Sequence, residues 1–184
     1  KYEIDNFNFI NKNSFFKKNF IFVDIGCNIG IYTLIIGNKF KNCKQIISIE
    51  PIYNTFKRLR SNVKNNKIES ITTLLNFALS NKDGKAKMRS VSKNNQIQLS
   101  KYEIDEIGDV EVETKVFDNL YKFKDEYIFI KCDVEGHEIK TIEGMKNTLK
   151  KNTCLIQIEI FPQNYRDTEN LLNDFDYFKI QKTK

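Results

Sequence analysis

Histidine occurs once in this 184-residue chain, arginine four times and proline twice, and no apolar run approaches the roughly eighteen residues that a membrane-spanning helix requires. The amino-terminal residues carry no signal-peptide pattern, so a soluble protein of the cytoplasm is expected. Cysteine is sparse and unpaired: Cys27, Cys43, Cys132 and Cys154 include no C-x-x-C spacing, and three of them fall in or beside runs that read as buried strands. They read as small core residues in a reducing compartment, with neither a zinc site nor a disulfide expected. The shortage of arginine also qualifies the net charge of +6. Lysine outnumbers arginine 26 to 4 and asparagine reaches 22, a skew of the kind an AT-rich coding sequence produces. The bidentate groups that favour phosphate and guanine recognition are scarce, so no nucleic-acid partner is expected.

What the chain does have is 40% apolar and 29% charged content, a globular balance in a length that suits one domain with a full core. Lys1 in place of an initiator Met suggests that this domain, 1–184, is excised from a longer polypeptide. The alternating aromatic and polar residues of 1–19 fit either a cap over a ligand site or a short strand and helix covering a sheet. The stretch that organises the rest is FIFVDIGCNIGI, 20–31. Phe20, Ile21, Phe22, Val23 and Ile25 form a run too short for a helix, which reads as a buried strand carrying Asp24, and Gly26 and Gly30 open the helix that follows. Such a turn presents unpartnered helix amides and lets a ligand approach the backbone. A dinucleotide site would show G-x-G-x-x-G, but Asn28 holds the middle position and the third glycine is missing. The pattern D-x-G-x-N-x-G instead resembles the first motif of class I S-adenosylmethionine (SAM) methyltransferases, whose acid and glycines receive the methionine end of the cofactor.

The segment QIISIE, 45–50, reads as a second buried strand that ends in Glu50 and is broken by Pro51; an acid there can accept hydrogen bonds from both hydroxyls of a ribose. Helices are expected over 29–40 and 54–65, the second with Phe56, Leu59 and Val63 inward and its basic residues solvated. A third strand over 71–79 carries Asn76, placed to meet an adenine. Alternation in KAKMRSV and VEVETKV makes 85–116 a β-hairpin-like insertion between the third and fourth strands, at the rim of a site. A fourth strand over 127–133, a helix over 138–150, a fifth strand over 153–160, a short helix from about 167 and a sixth strand over 177–181 complete the pattern. The expected fold is α/β, a doubly wound, Rossmann-like and mostly parallel sheet, with ligands outside the carboxyl ends of its strands. Asp24, Glu50, Asn76, Asp133, Glu135 and Glu159 all fall at such ends.

Five blocks carry a resemblance: VDIGCNIGIYTL, SIEP, NFALSNKDG, IKCDVEGHEIKTIEGM and IQIEIFP. In this order over about 20–180 they resemble the FkbM-type family of SAM-dependent O-methyltransferases, and DVEG-x-E is the most specific of them. The resemblance implies a class I methyltransferase fold, SAM as cofactor and a hydroxyl acceptor on a sugar or a polyketide. Glycan decoration, in a polypeptide fused to a glycosyltransferase, fits that reading. By the same resemblance Asp24, Gly26, Asn28 and Gly30 hold the methionine end, Glu50 the ribose, and Asn76 with Ala78 the adenine side, with Cys27, Pro51 and Phe77 in the same binding set. Lys131, Asp133, Glu135, Gly136 and Glu138 match the motif beside the transferred methyl. Two features depart from the family pattern: Cys27 stands where many relatives have Ala, and little chain is left for the antiparallel seventh strand that usually ends this fold.

An alcohol is a poor nucleophile near neutral pH until a base takes its proton or a metal lowers its pKa. His137 follows the fourth strand directly and is a candidate base, or equally a rim residue that bonds the backbone. Asp133 is favoured for direct contact with the cofactor amine or the substrate hydroxyl. Glu159 is the third candidate. Asp133 and Glu159 together could hold Mg²⁺, but two carboxylates are a thin ligand set and a metal-free mechanism is preferred. The N/D-P-P-Y/F block of many nucleobase amino-methyltransferases is replaced here by DVEG, which argues against that target. The remaining alternative, a non-catalytic SAM-fold module in a larger protein, is opposed by the intact glycines and the strand-end acids.

Overall fold

A computed structural model describes residues 10, 12–90, 102–104, 108 and 110–180. In chain order, β1 (Phe20–Ile25), α1 (Ile31–Lys39), β2 (Cys43–Ile49), α2 (Tyr53–Asn65) and β3 (Thr72–Leu75) come first. Then follow β4 (Ala78–Leu79), β5 (Gly84–Ser90), β6 (Tyr102–Ile104), β7 (Val110–Lys115) and the short α3 (Phe117–Leu120). The last third holds β8 (Tyr127–Cys132), α4 (Glu138–Glu143), α5 (Lys146–Lys151), β9 (Thr153–Ile158) and α6 (Tyr165–Asn173).

The main sheet has the order β3-β2-β1-β8-β9, and every neighbouring pair in it is parallel. The chain winds outward from β1 through β2 to β3, then returns to the other side of β1 with β8 and β9. Loops leaving β1 and β8 therefore diverge, which opens a crevice at their carboxyl ends.

Strand alternation divides the core in two. Ile21, Val23 and Ile25 of β1, with Ile128 and Ile130 of β8, pack against Ile142, Met145 and Leu149 and against Phe117. The opposite face is aromatic: Phe20, Phe22 and Phe129 meet Tyr32 and Ile36 of α1, with Ile10 and Phe16 beside them. Phe22 and Phe129 are register partners, and their rings stack at 5.0 Å between centroids. Of 1–19, the described part thus covers the amino-terminal end of the sheet; 1–9 and 11 lie outside the described residues.

Three expectations need correction, and a fourth is extended. The strand over 71–79 splits, because Asn76 turns its amide onto the carbonyls of Glu50 and Pro51, and Ala78–Leu79 joins a second sheet. That second sheet, in the order β4-β7-β5-β6, extends the expected insertion: β5 and β7 form the antiparallel pair, with β6 outside β5 and β4 parallel to β7. The helix over 138–150 breaks into α4 and α5. Gly144 lies where an added Cβ would stand 2.2 Å from the carbonyl oxygen of Ser80. Asp118 then caps the new start, accepting from the backbone N–H of Asn147 at 2.6 Å and of Thr148 at 2.9 Å. The apolar stripe Ile142, Met145, Leu149 runs through this break, so periodicity hides it. Finally, Tyr177–Ile180 forms no strand. Tyr177 folds back, its N–H donating to the carbonyl of Leu172 and its hydroxyl to that of Leu149, while Phe178 and Ile180 are exposed. Residues 181–184, which include the end of that expected strand, lie outside the described residues. All four cysteines are free thiols, and among the described residues no helix is long and apolar enough to cross a membrane.

Candidate active site

A cleft of about 340 Å³ lies at the carboxyl ends of β1, β2 and β8, where the strand order reverses, and the second sheet closes one side with Ala78 and Met88. Of the residues expected from sequence to form the site, all line it except Gly30, Asn76, Gly136 and Glu138.

The two glycines of the motif act differently from the expectation that they clear space for a ligand. Gly26 has φ of 70°, and a Cβ there would lie 2.0 Å from the carbonyl oxygen of Asp133, so the missing side chain lets the β1 loop cross the end of β8. Gly30, with φ of 89°, precedes α1; a Cβ on it would meet Leu59 Cδ1 at 2.5 Å, so it sets the approach of α2 to α1. Between them Asn28 adopts φ of 52°, which asparagine tolerates better than most residues.

One register level of the main sheet is polar. Ser48, Asp24, Lys131 and Gln157 are successive cross-strand partners on β2, β1, β8 and β9, two residues beyond the stacked Phe22 and Phe129 and on the same face. The first turn of α1 closes over this row. Asp24 Oδ2 accepts from the backbone N–H of Thr33 at 3.0 Å and from its hydroxyl at 2.7 Å, and Thr33 Oγ1 also bonds Ser48 Oγ at 2.7 Å. Gln157 Nε2 donates to the Tyr32 hydroxyl at 2.8 Å, and Lys131 Nζ sits 4.9 Å from the centre of the Tyr32 ring. Burial pushes the carboxyl of Asp24 upward against the opposing effects of Lys131 and Thr33. For Lys131 burial acts downward, but the carboxylates of Asp133 and Asp24 outweigh it and the ammonium is held well above its ordinary range.

Glu50 is buried, and both its oxygens hold loop backbone: Oε2 accepts from the N–H of Asn28 at 3.0 Å and Oε1 from that of Ile52 at 2.9 Å. It thereby ties the loop after β1 to the loop after β2. Burial raises its pKa to about 7, the two backbone donors oppose the rise, and the charge of Asp24 adds to it.

After β8, Asp133 donates its N–H to the carbonyl of Ile25, and its Oδ2 accepts from Lys131 Nζ at 3.0 Å. His137 precedes α4, with Nε2 3.1 Å from Ser80 Oγ; burial first, and the charge of Lys140 second, lower its pKa to about 4, so the imidazole is neutral near pH 7. Glu159 also reaches the cleft, from the end of β9. Glu138, by contrast, is fully buried behind it. Its oxygens accept from the N–H of Gly136 at 2.7 Å and from Asn164 Nδ2 at 3.0 Å, so this acid braces the loop after β8 rather than facing a ligand. Among the described residues, no three His, Cys, Asp or Glu side chains converge as metal ligands.

A family model described as the methyltransferase FkbM domain matches residues 24–179. The chain belongs to the FkbM methyltransferase family. Solved structures agree on the fold. The FkbM methyltransferase of Methylobacillus flagellatus KT superposes with a TM-score of 0.62 at 15% identity, covering 85% of this chain and 37% of that one. A precorrin-6y C5,15-methyltransferase from Geobacter metallireducens GS-15 gives 0.54 at 15% identity, and the precorrin 8w decarboxylase of Methanobacterium thermoautotrophicum gives 0.52 at 14%. Each of these last two alignments covers 88% of this chain and 65% of the other. This chain therefore spans from about a third to two thirds of the length of these structures. A search of the curated proteins returns no match.

In this FkbM domain the cleft keeps acceptor capacity that the protein itself does not use. Asp24 Oδ1 and Asn28 Oδ1 are buried without a hydrogen-bond partner, although burying an acceptor unpaired is costly. Both belong to cleft-lining residues, and a cationic donor would satisfy them. Each Glu50 oxygen uses one lone pair on backbone and keeps capacity for a hydroxyl. Among the lining residues that sequence reasoning left out are Tyr32, Ile52 and Met88. Tyr32 and Ile52 could have been suspected from their places directly after the glycine turn and Glu50, whereas Met88 reaches the cleft from another sheet and left no local signal.

Proposed function

We propose that this FkbM domain is a SAM-dependent O-methyltransferase acting on a sugar hydroxyl of a glycan. The observation that carries the reading is the pairing of Glu50, whose oxygens retain capacity for hydroxyl donors, with the unsatisfied acceptors of Asp24 and Asn28 in the same cleft. Bound SAM supplies an electrophilic methyl on a sulfonium. Glu50 accepts from the ribose hydroxyls, Asp24 and Asn28 accept from the amino group, and Ile52, Phe77 and Ala78 offer an apolar slot for the adenine. Asp133 lies beside the glycine turn and bonds the acceptor hydroxyl, orienting an oxygen lone pair along the line of displacement. His137, neutral and bonded through Nε2 to Ser80 Oγ, offers Nδ1 as a second proton acceptor in the tautomer whose Nε2–H donates to Ser80. DVEG stands where many nucleobase amino-methyltransferases carry N/D-P-P-Y/F, which supports a hydroxyl acceptor over an exocyclic amine.

Labelled SAM incubated with a panel of glycans and polyhydroxylated polyketides tests this. The expected result is label on a sugar oxygen, lost by a factor of roughly 100 or more in Asp133→Asn while SAM still binds. Label on nitrogen, or a fully active Asp133→Asn, would overturn the mechanism. Activity that resists EDTA fits the metal-free chemistry; loss restored by Mg²⁺ would move Asp133 and Glu159 into a metal site.

A further inference from the structure

Lys131 is the one cation among the described residues that line the cleft, set among the carboxylates of Asp24, Glu50, Asp133, Glu135 and Glu159. Its side chain is only 12% exposed, and a buried ammonium persists only where its charge and donors are met. Asp133 Oδ2 takes one donor at 3.0 Å, and the Tyr32 ring, fixed through its hydroxyl by Gln157, covers one side at 4.9 Å. An ammonium has three N–H groups, so this arrangement leaves donor capacity at the cleft. Next to it in the polar row, on the adjoining strand, is Asp24, whose Oδ1 has no partner. A cation with donor capacity and an anion with acceptor capacity therefore stand side by side, the complement of an α-amino acid zwitterion. Simple neutralisation of Asp24 and Asp133 would account for the positive charge but not for the unpaired oxygen beside it.

We propose that Lys131 binds the α-carboxylate of SAM while Asp24 binds its α-ammonium, so that the polar row across β1 and β8 reads the amino-acid end of the cofactor. The assignment rests on the SAM reading above. It predicts selectivity against adenosyl ligands that lack the carboxylate, with Tyr32 and Gln157 as positioning residues for the lysine.

Calorimetric titration of SAM and of decarboxylated SAM into the wild type and into Lys131→Met separates the two roles of the lysine. The wild type is expected to bind decarboxylated SAM roughly 10- to 100-fold more weakly than SAM, the scale of one charge-assisted hydrogen bond. In Lys131→Met, affinity for SAM should fall by a similar factor. Affinity for decarboxylated SAM, a dication, should hold or rise, because a cation facing it has been removed. Equal losses for both ligands, or no loss for SAM, would overturn the assignment. Should Lys131→Met fail to fold, the wild-type comparison still decides, since equal affinity for the two ligands contradicts a carboxylate-binding cation. A wild type that binds neither ligand overturns the cofactor reading and this assignment with it.

Discussion

Along one face of β1 and β8, two residues of chain separate opposite chemistries. Phe22 and Phe129 stack at 5.0 Å inside an aromatic cluster, while Asp24 and Lys131, the next residues on that face, begin the polar row at the cleft. The first pair has nothing left to satisfy; the second carries a buried unpaired oxygen and a nearly buried ammonium. A sheet built for stability alone would continue the aromatic packing to its end. On this face the amino-terminal half of the strands holds the fold, while their carboxyl ends carry an unpartnered acceptor and a nearly buried ammonium at the cleft.

The sharpest way to break this contrast is at the turn that follows the polar row. Gly26→Val places a branched side chain at φ of 70° and against the Asp133 carbonyl, so SAM binding should be lost and the melting temperature lowered. A variant that keeps both would show that the crossing of β1 and β8 is not sterically tight. Next in size, Phe22→Ala should cost about 3–5 kcal/mol in denaturant unfolding through the cavity it leaves, with SAM affinity of the folded protein little changed. A large loss of affinity without loss of stability would erase the distinction. The smallest expected effect concerns His137. With its pKa lowered to about 4 by burial, the acid limb that it contributes to a rate profile should lie near pH 4, and His137→Ala should remove that limb. An inflection at pH 6–7, where an unperturbed histidine titrates, that disappears in His137→Ala would contradict the buried geometry.

Much of this architecture was legible in sequence, because short apolar runs ending in an acid define parallel strands and their carboxyl ends together. Asp24, Glu50 and Asp133 could be assigned to one edge before their spacing in three dimensions was known. The roles of Gly26 and Gly30 were less legible: a sequence shows that a Cβ is missing, but not whether a ligand, the Asp133 carbonyl or Leu59 occupies the space. Lys131 was visible within its motif, yet its partnership with Asp24 depends on strand register, which local pattern does not fix. The break at Gly144 was hidden because its cause, Ser80, is far away in the chain.

Glu50 offers the most direct test. Its pKa in the folded protein, about 7 against an ordinary 4.5, lies above the unfolded value, so its ionisation weakens the apoprotein. That loss of stability begins as pH rises past about 4.5 and is complete above about 7, amounting to roughly 3 kcal/mol at most. Ribose hydroxyls donating to the carboxylate favour the same ionised form, so SAM should bind more tightly as pH rises toward 7 and level off above it. The decisive measurement is calorimetric SAM affinity from about pH 5 to 7.5, below the titration of the SAM α-ammonium at about 7.8, for the wild type and Glu50→Gln. Wild-type affinity should rise toward a plateau near pH 7, and Glu50→Gln affinity should be weaker at about pH 7.5 and nearly flat with pH. Wild-type binding independent of pH, together with a Glu50→Gln variant that binds as tightly, would contradict this role of Glu50.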